Sequence, residues 1–274
     1  IGASMTMDIS NQNKLSEFYE ELKRLNIEVT RPDINKCFAD FRTIDNNFYY
    51  ALGGIKAVGY DAIYNVVEER TKNGKFTSIN DFLKRVNPKD MNKLQLEGLV
   101  KAGAFDNLNT NRQALFNSIP NFILKTKNIF DNKLANQIDL FAEDETLEND
   151  IINDIEDWNF EERLSKEFEA VGFFISDHPL NQFTEIFGDY KIKDYSTFNS
   201  NDEIKDTNIA ATLLKVQERK TAKGNSYAVL KLTDLSSVFE LFIFSDILEL
   251  NREILKEGSS LILTLVKSIS NDEN

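Results

Sequence analysis

Residues 51–70 read Ala-Leu-Gly-Gly-Ile-Lys-Ala-Val-Gly-Tyr-Asp-Ala-Ile-Tyr-Asn-Val-Val-Glu-Glu-Arg. A short apolar helix, a tight turn at 57–59 and a second amphipathic helix fit this stretch. Residues 78–105 repeat the plan. Ile79-Asn80-Asp81-Phe82-Leu83 opens a helix, and Leu94, Leu96, Leu99 and Val100 line another. Lys101-Ala102-Gly103-Ala104-Phe105-Asp106 makes a second small-residue turn, and a further helix follows from Asn111. A turn between two helices leaves backbone amides unpaired at the start of the second helix. Those amides and the helix dipole suit a phosphate. Lys56, Ala57, Val58 and Gly59 in the first turn, and Lys101 and Gly103 in the second, have the chemistry to hold a DNA backbone without reading bases. The same spacing also suits an ordinary αα-hairpin with a glycine cap.

Outward from that centre, residues 3–30 predict one helix, with Leu15, Phe18, Leu22 and Leu25 on one face. Ser10 or Asn11 is a candidate cap, and Arg31-Pro32-Asp33 is the expected stop. Residues 34–50 predict a short hairpin or loop anchored by Phe38, Phe41 and Phe48. In residues 142–170, Ile151, Ile155, Trp158, Leu164 and Phe168, followed by Val171, recur at helical spacing. From about residue 207 the period changes to two. Ile209–Val216, Ser226–Asp234, Phe239–Phe244 and Leu261–Val266 read as strands, with a short helix at Asp246–Leu255. That is the order of an OB barrel without its fifth strand. The fold class expected is therefore α+β and multidomain: a helical region, then an incomplete β barrel.

The chain has 274 residues, a net charge of −13, one cysteine and one histidine. A single cysteine, Cys37, excludes an intrachain disulfide and fits a cytoplasmic protein. A single histidine, His178, excludes multi-His metal sites and reads best as a structural residue. No apolar run approaches the roughly 20 residues that span a bilayer, so no membrane partner is expected. The opening Ile-Gly-Ala-Ser, without Met, suggests a piece of a longer chain. The acidity is local. Residues 141–190 hold fifteen acids and two bases, whereas residues 50–135 hold thirteen bases and eight acids. A mildly basic module thus precedes an acidic connector, whose carboxylates read as a solvated face.

Two further segments draw notice. Gln137-Ile138-Asp139-Leu140-Phe141 places an apolar pair in a polar stretch. It is either an anchor for a partner's groove or a loop tucked onto its own domain. In the barrel, alternation sets Phe242 and Phe244 opposite Phe239, Leu241 and Ile243. With Arg219, Lys220, Lys223 and Tyr227 near the first β-turn, they form a base-stacking platform or a packed face. No phosphate-loop or dinucleotide motif occurs, and no residue set reads as a catalytic or metal site.

Five motifs then converge: Ala3-Ser4-Met5-Thr6-Met7, Pro32-Asp33-Ile34-Asn35, Ala51 to Gly59, Ala102-Gly103-Ala104-Phe105-Asp106, and Gly172-Phe173-Phe174-Ile175-Ser176-Asp177-His178-Pro179-Leu180. In this order they resemble the C-family replicative polymerases, the bacterial DNA polymerase III alpha subunits. The resemblance implies the end of a fingers domain at 1–50 and a tandem helix-hairpin-helix module at 51–135. It implies a sliding-clamp-binding segment at 136–142, an acidic helical connector at 143–206 and an incomplete OB domain at 207–274. The implied partners are duplex DNA, single-stranded template, the sliding clamp and other replicative holoenzyme subunits. The catalytic palm and its Mg2+ would lie outside this chain, so no cofactor and no catalytic residue is expected within it. Ala57 departs from the family's hairpin glycine, and Cys37 stands where serine is more frequent. Two other readings stay open: a docking adaptor without DNA affinity, and a ligase or nuclease built from the same modules.

Overall fold

The computed structural model describes residues 1–134, 152–221 and 224–267. These divide into two compact units, Ile1–Ser176 and Asp177–Asn274. The first is helical around one apolar core; the second is built on a sheet.

The first unit opens with α1 (Gly2–Met7) and α2 (Gln12–Arg24). The single helix expected over 3–30 is thus two helices. The side chain of Asn11 accepts the Lys14 amide and starts α2 afresh, as a capping residue should. Nor does Pro32 stop it. The helix ends at Arg24, and Asn26 turns into the left-handed region at φ 54°, a conformation asparagine tolerates. Val29–Thr30 (β1) then pairs with Phe48–Tyr49 of β3 (Asn47–Tyr49), which also pairs with β2 (Arg42–Ile44). Asp45 and Asn46 join β2 to β3 with positive φ at both positions, the geometry of a two-residue primed turn.

A single 3-10 turn at Leu52–Gly54 replaces the first expected helix, and α3 (Tyr60–Asn73) follows. Next come α4 (Ile79–Arg85), α5 (Lys93–Lys101) and α6 (Arg112–Leu134). Ser78 caps α4, and Asn92 with Gln95 forms a full capping box on α5. Leu96, Leu99 and Val100 are buried, but Leu94 is 61% exposed. The connector differs most from expectation. Residues 152–159 are not helical, and α7 begins only at Phe160, ending at Val171. The extended strap before it serves α6. Asp157 accepts the Gln113 amide, the Asn153 amide donates to Ser118 Oγ, and Trp158 packs on Phe116. Leu15, Leu22, Ile34, Tyr50, Leu52, Ile63, Leu99 and Ile119 form the centre of the core.

In the second unit, a 3-10 stretch (Pro179–Ile186) and α8 (Tyr195–Ser200) precede β4 (Asp206–Lys220), β5 (Ser226–Thr233), β6 (Val238–Phe244), α9 (Ser245–Asn251) and β7 (Ser260–Val266). The four strands pair antiparallel, in the order β6-β5-β4-β7. This is a curled four-stranded half-barrel of OB type. β4 is long because its first half pairs with β7 and its second with β5, Thr212 serving both. Ile209, Leu213, Leu230, Leu232 and Leu248 fill the inner side, where Phe239 stacks on Tyr195 at 3.9 Å. His178 Nδ1 accepts the Leu180 amide, and its Nε2 lies 3.3 Å from Thr233 Oγ1, so its visible role is local architecture.

Candidate nucleic-acid interface

The first turn is closed by the Val58 amide donating to the Ile55 carbonyl, with both side chains buried. Lys56, Ala57 and Gly59 face solvent. Ala57 sits at φ 65°, the left-handed conformation that glycine adopts freely and alanine at a cost of about 1–2 kcal/mol. The turn lies close on α5. A Cβ on Gly98 would come within 2.8 Å of the Lys56 carbonyl oxygen, so only glycine fits beneath it. Sequence reading missed Gly98, whose only signal is a helix-breaking residue in an otherwise well-capped helix. α3 then opens at Gly59 with no side-chain cap and, among the described residues, no side chain accepting its first amides. Those amides have no intrahelical acceptor, and they carry the positive end of the helix dipole. The Lys56 amide is already used, donating to the Ala170 carbonyl at 2.8 Å.

The second turn is built differently. Gly103 is buried at φ 79°, and any side chain there would collide with the Arg112 guanidinium. Arg112 pairs with both oxygens of Asp106 at 2.7 and 2.9 Å and donates to the Lys101 carbonyl at 3.1 Å. It also lies 3.5 Å from Glu167, which is fully buried and accepts the amides of Ile175 and Ser176. Arg163 ties Asp106 to Asp157. Lys101 pairs with Glu169 at 2.9 Å. Asp157, Glu167 and Glu169 of the connector are therefore paired, not a purely solvated face.

On the half-barrel, the strand registers sort the candidates. Arg219 lies opposite Tyr227, which lies opposite Phe244; Gln217, Val229 and Phe242 form the next row, and Lys215, Lys231 and Glu240 the third. Residues directly opposite share a face. Arg219, Tyr227, Phe242 and Phe244 are thus together, with Phe242 61% and Phe244 65% exposed. Lys215 and Lys231 join them. Sequence reading missed both: Lys215 because the register shift between Leu213 and Lys215 changes the phase of β4, and Lys231 although the plain alternation of β5 already sets it beside Tyr227. Lys220 pairs with Ser226 in the other phase, and Lys223 lies outside the described residues. Gln137, Ile138, Asp139, Leu140 and Phe141 also lie outside them.

Among the described residues no group of three or more His, Cys, Asp or Glu is placed to hold a metal ion. Burial pushes the Cys37 thiol up to about 12, which keeps it protonated and unreactive at neutral pH. No described helix is long and apolar enough to cross a membrane.

The helix-hairpin-helix motif family matches residues 26–115. The chain is 31% identical over 264 residues to DNA polymerase III subunit alpha of Borreliella burgdorferi, a match covering 94% of this chain and 23% of the relative. It is 29% identical to the same subunit of Caulobacter vibrioides over 263 residues and 28% identical to that of Escherichia coli K12 over 273. These cover 95% and 96% of the chain, and again 23% of each relative. The chain thus spans about a quarter of the length of the curated relatives it matches.

The Arg112 network generates a stability prediction. Arg112→Met strands the Glu167 carboxylate in the core, so it should cost about 3–5 kcal/mol. Urea denaturation measures this directly. A loss below 1 kcal/mol would show that the network is dispensable.

Proposed function

We propose that this chain, a homologue of one segment of the DNA polymerase III alpha subunit, holds DNA for a replicative polymerase. The whole protein would perform template-directed DNA synthesis in the cytoplasm, alongside other holoenzyme subunits. The observation that carries this reading is the solvent-facing first turn, backed by the helix-hairpin-helix match over 26–115. Lys56, Ala57, Val58 and Gly59 present a cation and the uncapped start of α3 to one backbone phosphate. Lys101 and Gly103 stand at the second turn, where Lys101 is already paired. The contacts are to backbone only, so binding is independent of sequence and weakens with salt. Titration of a duplex of arbitrary sequence between 50 and 200 mM salt tests this. Lys56→Glu should lower affinity at least fivefold and flatten the salt slope by about one to two. Salt-independent binding, or equal binding by the variant, sinks the reading.

The half-barrel face takes single-stranded template in the same account. Tyr227, Phe242 and Phe244 offer ring surfaces beside Arg219, with Lys215 and Lys231 added by the registers. Stacking is worth about 1–3 kcal/mol per base, so Phe242→Ala/Phe244→Ala should weaken binding to an oligothymidine at least tenfold. Unchanged affinity by fluorescence anisotropy would move the single strand elsewhere.

Gln137, Ile138, Asp139, Leu140 and Phe141 are the proposed tether to the sliding clamp. Support comes from composition and from the motif resemblance: a glutamine followed by an apolar pair in an acidic stretch. Anchors of this kind are worth about 2 kcal/mol each, so Leu140→Ala/Phe141→Ala should nearly abolish clamp binding. Equal binding of both proteins on a clamp-coated surface would place the contact elsewhere.

A further inference from the structure

The two turns differ in what already occupies their cations. Lys56 is exposed and makes no ion pair among the described residues. Lys101 is held on two sides. Its Nζ lies 2.9 Å from Glu169 Oε2 and 5.5 Å from the Phe116 ring centre, and its side chain is only 21% exposed. Glu169 projects from α7, the acidic helix that packs along α5. It is also 3.3 Å from Lys166. Burial works against its charge, but Lys101 and Lys166 outweigh that and hold its carboxyl below the usual carboxylate range. The carboxylate is therefore ionised at neutral pH and is bonded directly to the Lys101 ammonium. The next residue along, Ala170, gives its carbonyl to the Lys56 amide.

We propose that Glu169 is a built-in competitor for the DNA backbone: it occupies Lys101, closes the second turn, and leaves the duplex held from the first turn alone. The inference rests on the duplex-binding reading of the turns and adds to it a residue that sets affinity. Glu169 and a phosphate present the same group to Lys101, an anionic oxygen at hydrogen-bond distance. Binding a phosphate there requires breaking a pair already made, so Lys101 contributes little net free energy. Removing the charge at Glu169 while keeping its shape frees that cation.

The test uses the whole 274-residue chain, a 20-base-pair duplex of arbitrary sequence as probe, and anisotropy at several salt concentrations. Glu169→Gln should bind at least threefold tighter than wild type at 50 mM salt, with a salt slope steeper by about one. Lys101→Gln alone should change affinity less than twofold. Lys101→Gln added to Glu169→Gln should abolish the gain, which separates release of Lys101 from a general loss of negative charge. Glu162→Gln, at the exposed start of α7, removes the same charge and should give no such gain. Thermal melts check that each variant folds. If Glu169→Gln misfolds, Glu169→Ser serves in its place with the same expectations. The proposal is overturned if wild type binds through Lys56 but Glu169→Gln binds no tighter, if Lys101→Gln alone loses several-fold, or if Glu162→Gln gains as much. The duplex-binding reading falls with it only if binding is independent of salt, or if Lys56→Glu and wild type bind alike or not at all.

Discussion

One buried cation organises the helical unit. The Arg112 side chain is 5% exposed, and a charge so deeply buried is tolerable only when its acceptors are fixed around it. Its acceptors come from three directions: the Lys101 carbonyl at the end of α5, the Asp106 carboxylate in the following turn, and Glu167 on α7. Glu167 passes the restraint on by accepting the amides of Ile175 and Ser176. A segment over 50 residues away in sequence is thereby fixed against the second turn. Gly103 follows from the same constraint, since the guanidinium fills the space a side chain would take. Its role in the fold is to admit Arg112, whatever else the turn does.

The electrostatic difference between the two turns follows from this packing. Once α7 is drawn against α5, Glu169 meets Lys101, and the Ala170 carbonyl meets the Lys56 amide. Two nearby turns of similar sequence thus become electrostatically different. One presents an exposed lysine and an uncapped helix start. The other is buried and internally neutralised. The overall charge of −13 therefore says little about the surface DNA would meet, because several of the connector's carboxylates have partners within the fold.

What the sequence revealed was mostly local. The period-two strands, the small helix before β7 and the Asn11 cap were all legible, because each depends on neighbouring residues alone. Ala57 was recognised as standing where the resembling family has glycine, but its left-handed backbone was not read from the sequence. The misses have long-range causes. Residues 152–159 carry a helical pattern but are pulled straight by hydrogen bonds to Gln113 and Ser118, about 35–45 residues away. Leu94 continues an apolar pattern and yet faces solvent. Lys215 reaches the half-barrel face through a register shift that only strand pairing exposes, whereas Lys231 follows the plain alternation of β5. Lys101 looked like a phosphate ligand, and nothing near it in sequence hinted at Glu169.

In the proposed function, backbone phosphates meet the first turn. Amide chemical shifts of the isotope-labelled chain, followed as duplex DNA is added, test it most directly. The account predicts the largest shifts at Ala57, Gly59, Tyr60 and Asp61, where the solvent-facing turn and the uncapped start of α3 meet the ligand. Shifts centred instead on Gly103 and Ala104, with the first turn unmoved, would contradict it.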